Sequence, residues 1–171
     1  MPQLAGLPAM LPPGVRADLG YQELIGFEKK LGTNEVSHTV DARWVEVPVS
    51  IFAQYGSDGV AGNRTVVLAI SDRNAQPIAR IPSGASQPAA TSWLYTWSIQ
   101  VTAFSSAVGH YVVMPLPIIA MEAGYVVDVG ADLADAGDVL SNTFILVWRF
   151  PTGPQLPEPA ALAPLAAPLL V

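Results

Sequence analysis

Residue types that commonly carry chemistry are few in this chain of 171 residues. Cysteine is absent, which excludes thiol nucleophiles, cysteine-ligated zinc and disulfide scaffolds. The two histidines, His38 and His110, lie far apart in strand-like runs, so a zinc site would need further ligands supplied by the fold. The motifs of phosphate-binding loops, nucleophile elbows and zinc-binding helices are missing. We therefore predict a protein that is not an enzyme, with no catalytic residue, cofactor or metal ion.

Four aspartates are concentrated within residues 128–138: Asp128, Asp132, Asp135 and Asp138. Their carboxylates could supply oxygen ligands to Ca²⁺. Their spacing differs from that of an EF-hand loop, which requires acids at alternating positions, an internal glycine and a closing glutamate. A solvated acidic loop is the preferred interpretation, and cation binding stays open as the alternative.

Tryptophans raise the question of carbohydrate binding, because sugars stack on exposed indole rings. All four lie in strand-like runs: Trp44, Trp93, Trp97 and Trp148. Large aromatic side chains in such runs mostly fill the core of a β-sandwich. Core packing is therefore preferred to a sugar-binding platform.

The most specific polar segment is Gly62-Asn63-Arg64. The Gly-Asn pair tolerates positive φ and indicates a turn. Arg64 then enters the next strand, where its guanidinium could clamp a carboxylate or the carbonyls of a loop. Its possible partners are Asp41, Asp72 and the loop at residues 132–138, and the sequence does not choose among them. We interpret this segment as a structural turn and clamp.

Alternating apolar and polar residues predict the strands that must position these groups. The longest predicted strands cover residues 93–103 and 45–55, and the second puts its valines on one face with Ile51, Ala53 and Tyr55. Pro48 indicates that this strand has an edge position or a bulge. Shorter strands are predicted at residues 65–71, 76–81, 110–114, 125–129 and 142–150, the last in a central position. Residues 21–31 are interpreted as a strand that pairs with residues 36–40.

These strands and the turns between them predict an all-β chain, either a sandwich or a barrel. We divide it into an extended N-terminal arm at residues 1–20, a β-sandwich domain at 21–150 and a proline-rich C-terminal arm at 151–171. The N-terminal residues lack the basic start of a signal peptide, and the longest later apolar run is too short to span a membrane.

The C-terminal arm contains six prolines, too closely spaced for a continuous helix. Such segments are often disordered linkers, but this one is apolar, whereas typical disordered segments are polar and charged. Its candidate docking residues are Leu156, Leu162, Leu165, Leu169 and Leu170. We predict that both arms are extended and bind partners.

The overall charge favours assembly over nucleic-acid binding. Charged residues make up 13% of the chain and apolar residues 51%, against about 25% charged in an ordinary soluble protein. The net charge is −6, which disfavours binding to phosphates. A surface with so few charges indicates a protein that partners cover.

The pattern of turns and strands across residues 44–150 resembles small virion proteins of tailed bacteriophages. These are auxiliary head or neck proteins with jelly-roll-like sandwiches. The segments that carry the resemblance are Gly62-Asn63-Arg64, the strand at 65–71, Asp72, Ser83-Gly84 with Gln87, the Trp93-Leu94-Tyr95-Thr96-Trp97 run, Leu116-Pro117, Glu122-Ala123-Gly124-Tyr125 and Asp138.

The resemblance implies a jelly-roll-like antiparallel β-sandwich with extended arms. It also implies a capsid cement or decoration protein that binds and stabilises the assembled head shell. The expected partners are the major capsid protein or other virion proteins, in a homo-oligomer that contacts neither nucleic acid nor membrane. The expected location is the virion, assembled in the host cytoplasm. A neck or tail protein is the first alternative, a carbohydrate- or receptor-binding module the second and a hydrolase the last.

Overall fold

A computed structural model describes residues 11–12, 15, 20–29 and 34–152 of the chain. All regular structure in these residues is β. The strands are β1 (Tyr21–Gly26), β2 (Glu28–Lys29), β3 (Val36–Thr39), β4 (Trp44–Gly56), β5 (Thr65–Ser71), β6 (Pro77–Pro82), β7 (Ser92–Ser98), β8 (Phe104–Ser106), β9 (Tyr111–Pro115), β10 (Val126–Asp132) and β11 (Val139–Pro151). Within the described residues, no helix has the length and apolar character needed to cross a membrane.

The strands form two sheets that pack face to face. Sheet A has six strands in the order β1-β11-β4-β7-β9-β8, and sheet B has five in the order β2-β3-β10-β5-β6. Apolar side chains from both sheets make one core between them, with Ile51 and Trp97 from sheet A and Leu68 from sheet B among its most buried members. The predicted all-β sandwich is therefore confirmed.

One strand pair departs from the antiparallel pattern. Strands β7 and β9 run parallel, whereas the other named pairs are antiparallel. Jelly rolls are antiparallel architectures, so the jelly-roll assignment stays a prediction.

Strand β4 contains a bulge that changes which side of the sheet its residues face. Leu146 pairs with Ser50 and Val147 pairs with Pro48, so Val49 is the extra residue. Because of this shift, Val45 and Val47 leave the main core and join Phe150 in a second cluster. The prediction of one continuous apolar face along residues 45–55 is therefore wrong. Of the two alternatives that Pro48 indicated, the bulge is confirmed, whereas the edge position is wrong, since β4 lies between β11 and β7.

Two other strand predictions need correction. The strand predicted at residues 93–103 ends at Ser98, and Gln100 has a positive φ of 59° where the chain turns. Residues 21–31 do not form one strand. Instead, β1 pairs with β11 in sheet A and β2 pairs with β3 in sheet B, so this stretch of chain passes from one sheet to the other at Phe27.

The remaining predicted strands all exist with small changes in length. Strand β5 has the predicted bounds, and β11 begins three residues before the predicted start. Strand β11 lies between β1 and β4, as its predicted central position requires. It also includes Pro151, which pairs with Trp44 and so belongs to the folded body.

Candidate functional site

Arg64 lies directly before β5, with only 2% of its surface exposed. Its Nε donates to Oδ2 of Asp138 at 3.0 Å, and its Nη2 donates to Oδ1 of Asp58 at 2.9 Å. Its Nη1 donates to the carbonyl oxygens of Val60 and Gly62 at 2.8 and 2.7 Å. One guanidinium therefore holds two carboxylates and the turn that precedes it. We call this arrangement of Arg64, Asp58 and Asp138 the Arg64 clamp. The structure gives Arg64 both kinds of partner that the sequence allowed.

Asp138 is the acceptor at the centre of this arrangement. Its Oδ2 also accepts hydrogen bonds from the Tyr55 hydroxyl at 2.6 Å and the Asp135 backbone at 2.8 Å, while its Oδ1 accepts one from the Asp58 backbone at 2.8 Å. Burial alone would raise the pKa of Asp138, but these hydrogen bonds and the one from Arg64 outweigh it and hold the pKa well below its usual range. Burial and the bond to Asp138 raise the pKa of Tyr55.

Gln87 connects the Arg64 clamp to both sheets. Its backbone exchanges two hydrogen bonds with that of Arg64, at 2.8 and 2.9 Å. Its side-chain nitrogen donates to the carbonyl oxygens of Tyr55 and Thr91, and its side-chain oxygen accepts from the Tyr95 hydroxyl at 2.9 Å. Buried polar groups need such partners, so the network fixes the loops at this end of the sandwich.

The other carboxylates proposed as partners of Arg64 lie elsewhere. Asp41 pairs with Arg43 on the surface at 3.0 Å. Asp72 accepts the backbone N–H groups of Asn74 and Gln76 and so closes its own turn. The structure therefore selects the loop at residues 132–138, through Asp138.

The aspartates of residues 128–138 do not converge on a common point. Asp132 pairs with Arg80 on the surface of sheet B at 2.7 Å, whereas Asp138 belongs to the Arg64 clamp. Asp135 accepts the backbone N–H of Ala136. Among the residues that the structure describes, no group of three or more His, Asp or Glu side chains is placed to hold a metal ion.

A second buried ionic cluster lies between the sheets beside β3, and the sequence analysis missed it. His38 Nε2 lies 2.6 Å from Oε2 of Glu46, a residue with no exposed surface. Arg149 donates to Oε1 of Glu46 at 2.8 Å and to Oε2 of Glu23 at 2.5 Å. Its guanidinium also lies over the Trp44 ring, 5.4 Å from the centroid.

Arg149 forms an ion pair with each of the two carboxylates of this cluster. Burial alone would lower the pKa of Arg149, but its hydrogen bonds to Glu46 and Glu23 outweigh burial and raise that pKa. Pro48 is the sequence signal that could have revealed the cluster. The bulge beside it, at Val49, turns Glu46 to the inner side of sheet A, where Arg149 also lies.

The second histidine, His110, lies outside this cluster. It is exposed, and its ring stacks on Trp93 with 5.7 Å between the ring centroids.

The four tryptophans serve mainly in packing. Trp93 and Trp97 are buried in the main core. Trp44 is half-buried against Tyr21 and Arg149, and Trp148 is half-buried and stacks on Phe150. Core packing is therefore confirmed for Trp93 and Trp97, whereas Trp44 and Trp148 lie outside the main core.

A cleft of about 270 Å³ lies at the end of the body where both terminal segments join it. Pro12 and Val15 line one side, and Thr152 lines another together with Ala42 and Val45. Leu11 and Val15 pack on the second apolar cluster of this same chain. These two residues of the N-terminal arm therefore contact their own body. Leu156, Leu162, Leu165, Leu169 and Leu170 of the C-terminal arm lie outside the described residues.

The central rows on the outward face of sheet A carry no charged residue and include several large apolar side chains that are exposed. One row crosses all six strands through paired residues: Gly26, Phe144, Phe52, Thr96, Val113 and Phe104. A neighbouring row includes Leu94 and Tyr111, and the row on the other side includes Leu24 and Leu146. Leu24, Leu94 and Phe104 are 59%, 48% and 55% exposed. Exposed apolar patches of this kind mark interaction sites.

The fold and these contacts define the chain as a two-sheet β-sandwich protein. No known protein family, curated protein or solved structure matches the chain. Its function must therefore be inferred from its own residues.

Proposed function

We propose that the chain is a non-enzymatic structural protein of a tailed-phage virion. In this proposal it is a cement or decoration protein that binds the assembled head shell. Because it binds only the assembled shell, it shifts the assembly equilibrium towards the intact particle by mass action. The turn and strand pattern of residues 44–150 supports this function, and so does the low content of charged residues.

The observation that carries the proposal is the junction between a fixed body and an apolar, proline-rich segment. Thr152 is held by hydrogen bonds to the carbonyl oxygens of Arg43 and Ala42, at 2.9 and 3.0 Å. Residues 153–171 follow it and contain five leucines and no basic residue. Nineteen residues in an extended polyproline conformation reach roughly 59 Å from this anchor. That distance suffices to contact a neighbouring shell subunit.

The first test is the copy number of the chain relative to the major shell protein, measured by quantitative mass spectrometry of purified particles. A ratio close to that of the shell subunit is the expected result. A few copies per particle would replace this proposal with a neck or tail role. Absence from particles would overturn the virion function.

The second test addresses the arm. The variant Leu165→Asp with Leu169→Asp should bind purified particles more weakly than the unchanged chain, because charged side chains cannot enter an apolar groove without a large desolvation cost. Gln155→Ser is the matched control, since it changes the same segment without altering an apolar group. Co-sedimentation with particles measures the binding. Equal binding by all three chains would overturn the docking role of the arm.

A further inference from the structure

We propose that the uncharged outward face of sheet A binds a second copy of the same face, forming a two-fold symmetric dimer. We call this surface the sheet A face. It consists of the three rows that pass through Phe52, Leu94 and Leu24. This inference does not depend on the proposed binding to a head shell.

The first argument is charge. The sixteen outward positions of the three rows are all uncharged: Leu24, Gly26, Ser50, Phe52, Gln54, Leu94, Thr96, Ser98, Phe104, Ser106, Tyr111, Val113, Pro115, Ser141, Phe144 and Leu146. The chain as a whole carries a net charge of −6. Two copies therefore repel each other least when they approach through this face.

The outward side of sheet B differs. Its shallow groove is lined by Glu35, Arg80, Asp128 and Asp132. Two copies of an acidic groove would bring like charges together, which costs free energy. The contrast assigns self-association to sheet A and not to sheet B.

The second argument is area. Six strands about 4.8 Å apart span roughly 29 Å, and three rows of outward residues cover roughly 20 Å along the strands. Each copy would therefore contribute roughly 600 Å², and the pair roughly 1,200 Å², which reaches the lower limit of specific protein interfaces. Two such faces can pack at the separation of roughly 10 Å that is usual between sheets.

The same dimensions argue against one extended segment of the chain as the occupant. A single extended segment is about as wide as one strand, roughly 4.8 Å, so it covers one row and leaves the other two exposed. Two of the described N-terminal residues, Leu11 and Val15, pack on the second apolar cluster around Val45 and Phe150. A facing sheet, by contrast, covers all three rows at once.

The test measures the mass of the full-length chain in solution by sedimentation equilibrium. We expect twice the chain mass of 18.0 kDa. The variant Leu94→Lys with Phe104→Lys should be monomeric, because both side chains are about half exposed and the lysines would face the partner copy. The matched control is Ile78→Lys on β6 of sheet B, which is 44% exposed and should leave the dimer intact. Circular dichroism and the urea midpoint verify that each variant folds.

Three results would overturn the proposal: a wild-type chain that stays monomeric, a dimer that persists in the double lysine variant, or a dimer lost in the Ile78→Lys control. A fourth would point to the N-terminal arm. If Leu4→Asp with Leu7→Asp abolished the dimer, exchange of that arm between copies would replace face-to-face packing. Copy number in particles is a separate measurement, so the dimer and the virion function can fail independently.

Discussion

Each of the two buried ionic clusters stabilises a buried carboxylate, but the two clusters use different hydrogen-bond donors. In the Arg64 clamp, one carboxylate, Asp138, accepts four hydrogen bonds, two of them from backbone N–H groups. In the second ionic cluster, which we call the Glu46 cluster, Glu46 forms hydrogen bonds with two side chains, those of His38 and Arg149. The clamp fixes loops, whereas the Glu46 cluster joins strands of both sheets. Loss of the first should therefore be more costly, because more groups lose their partner at once.

The largest expected effect is that of Asp138→Ala. Removing this carboxylate leaves the buried guanidinium of Arg64 and the Tyr55 hydroxyl without their shared acceptor. The free energy of unfolding should fall by about 3–5 kcal/mol, as when one partner of a buried ion pair is removed. Urea denaturation followed by tryptophan fluorescence measures it.

The control for that variant is Asp132→Ala, which removes the carboxylate of an exposed pair with Arg80. Exposed pairs contribute at most about 1 kcal/mol. Similar losses in the two variants would contradict the special role of Asp138.

A smaller loss is expected for Glu46→Gln. The amide keeps the shape of the side chain and can still accept a hydrogen bond, while Arg149 retains Glu23 as its ionic partner. The free energy of unfolding should fall by about 1–3 kcal/mol, the range for weakening a buried charged hydrogen bond. The same denaturation experiment applies, with the exposed Glu122→Gln as control. A loss larger than that of Asp138→Ala would reverse the comparison between the clusters.

The smallest effect, and the one specific to the clamp, is on the pH dependence of stability. The pKa of Asp138 is well below its usual range in the folded protein, and close to 4 in the unfolded chain. Between these two values the unfolded state binds more protons, so stability rises with pH there. The contribution of Asp138 is fully present above the unfolded pKa and is lost as the pH falls through the folded pKa.

Unfolding free energies measured from about pH 6 down to about pH 2 check this sign. Asp138→Asn should flatten the acid side of the curve relative to the unchanged chain. Asp41 is a useful second variant, because its hydrogen bonds from Arg43 lower its pKa to about 2 and it titrates in the same acid range. An acid limb that is equally steep with and without Asp138 would contradict the assignment.

The Arg64 clamp was accessible from sequence because its turn is local. Gly62 and Asn63 mark the turn, and Gly62 has a φ of +144°. Because Arg64 follows directly, the carbonyl oxygens of this turn are within reach of its side chain. The choice of Asp138 as its partner was not accessible, since the two residues are 74 positions apart and only the pairing of strands brings them together.

The bulge in β4 explains why the alternation of residue types did not predict the Glu46 cluster. Strict alternation puts Val45, Val47 and Val49 on the side of Ile51, and it leaves Glu46 on the opposite side with solvent as its natural environment. The extra residue at Val49 reverses this assignment for the first half of β4. Alternation predicted the existence of nearly every strand, but it could not predict a change of face within one strand, which depends on what each side packs against.

The pairing of β4 with β11 also determines when the chain can fold. The bond between Glu46 and Arg149 spans 103 positions. The first long strand of sheet A can therefore pair with β7 early, but it lacks its other neighbour, β11, until almost the whole domain has been made. Contacts of such long range slow folding, because the intervening chain must be ordered before they are gained. During synthesis on the ribosome, the edge of β4 that pairs with β11 therefore stays unpaired until β11 has been made. The time between the synthesis of these two strands is when the chain is most exposed to aggregation.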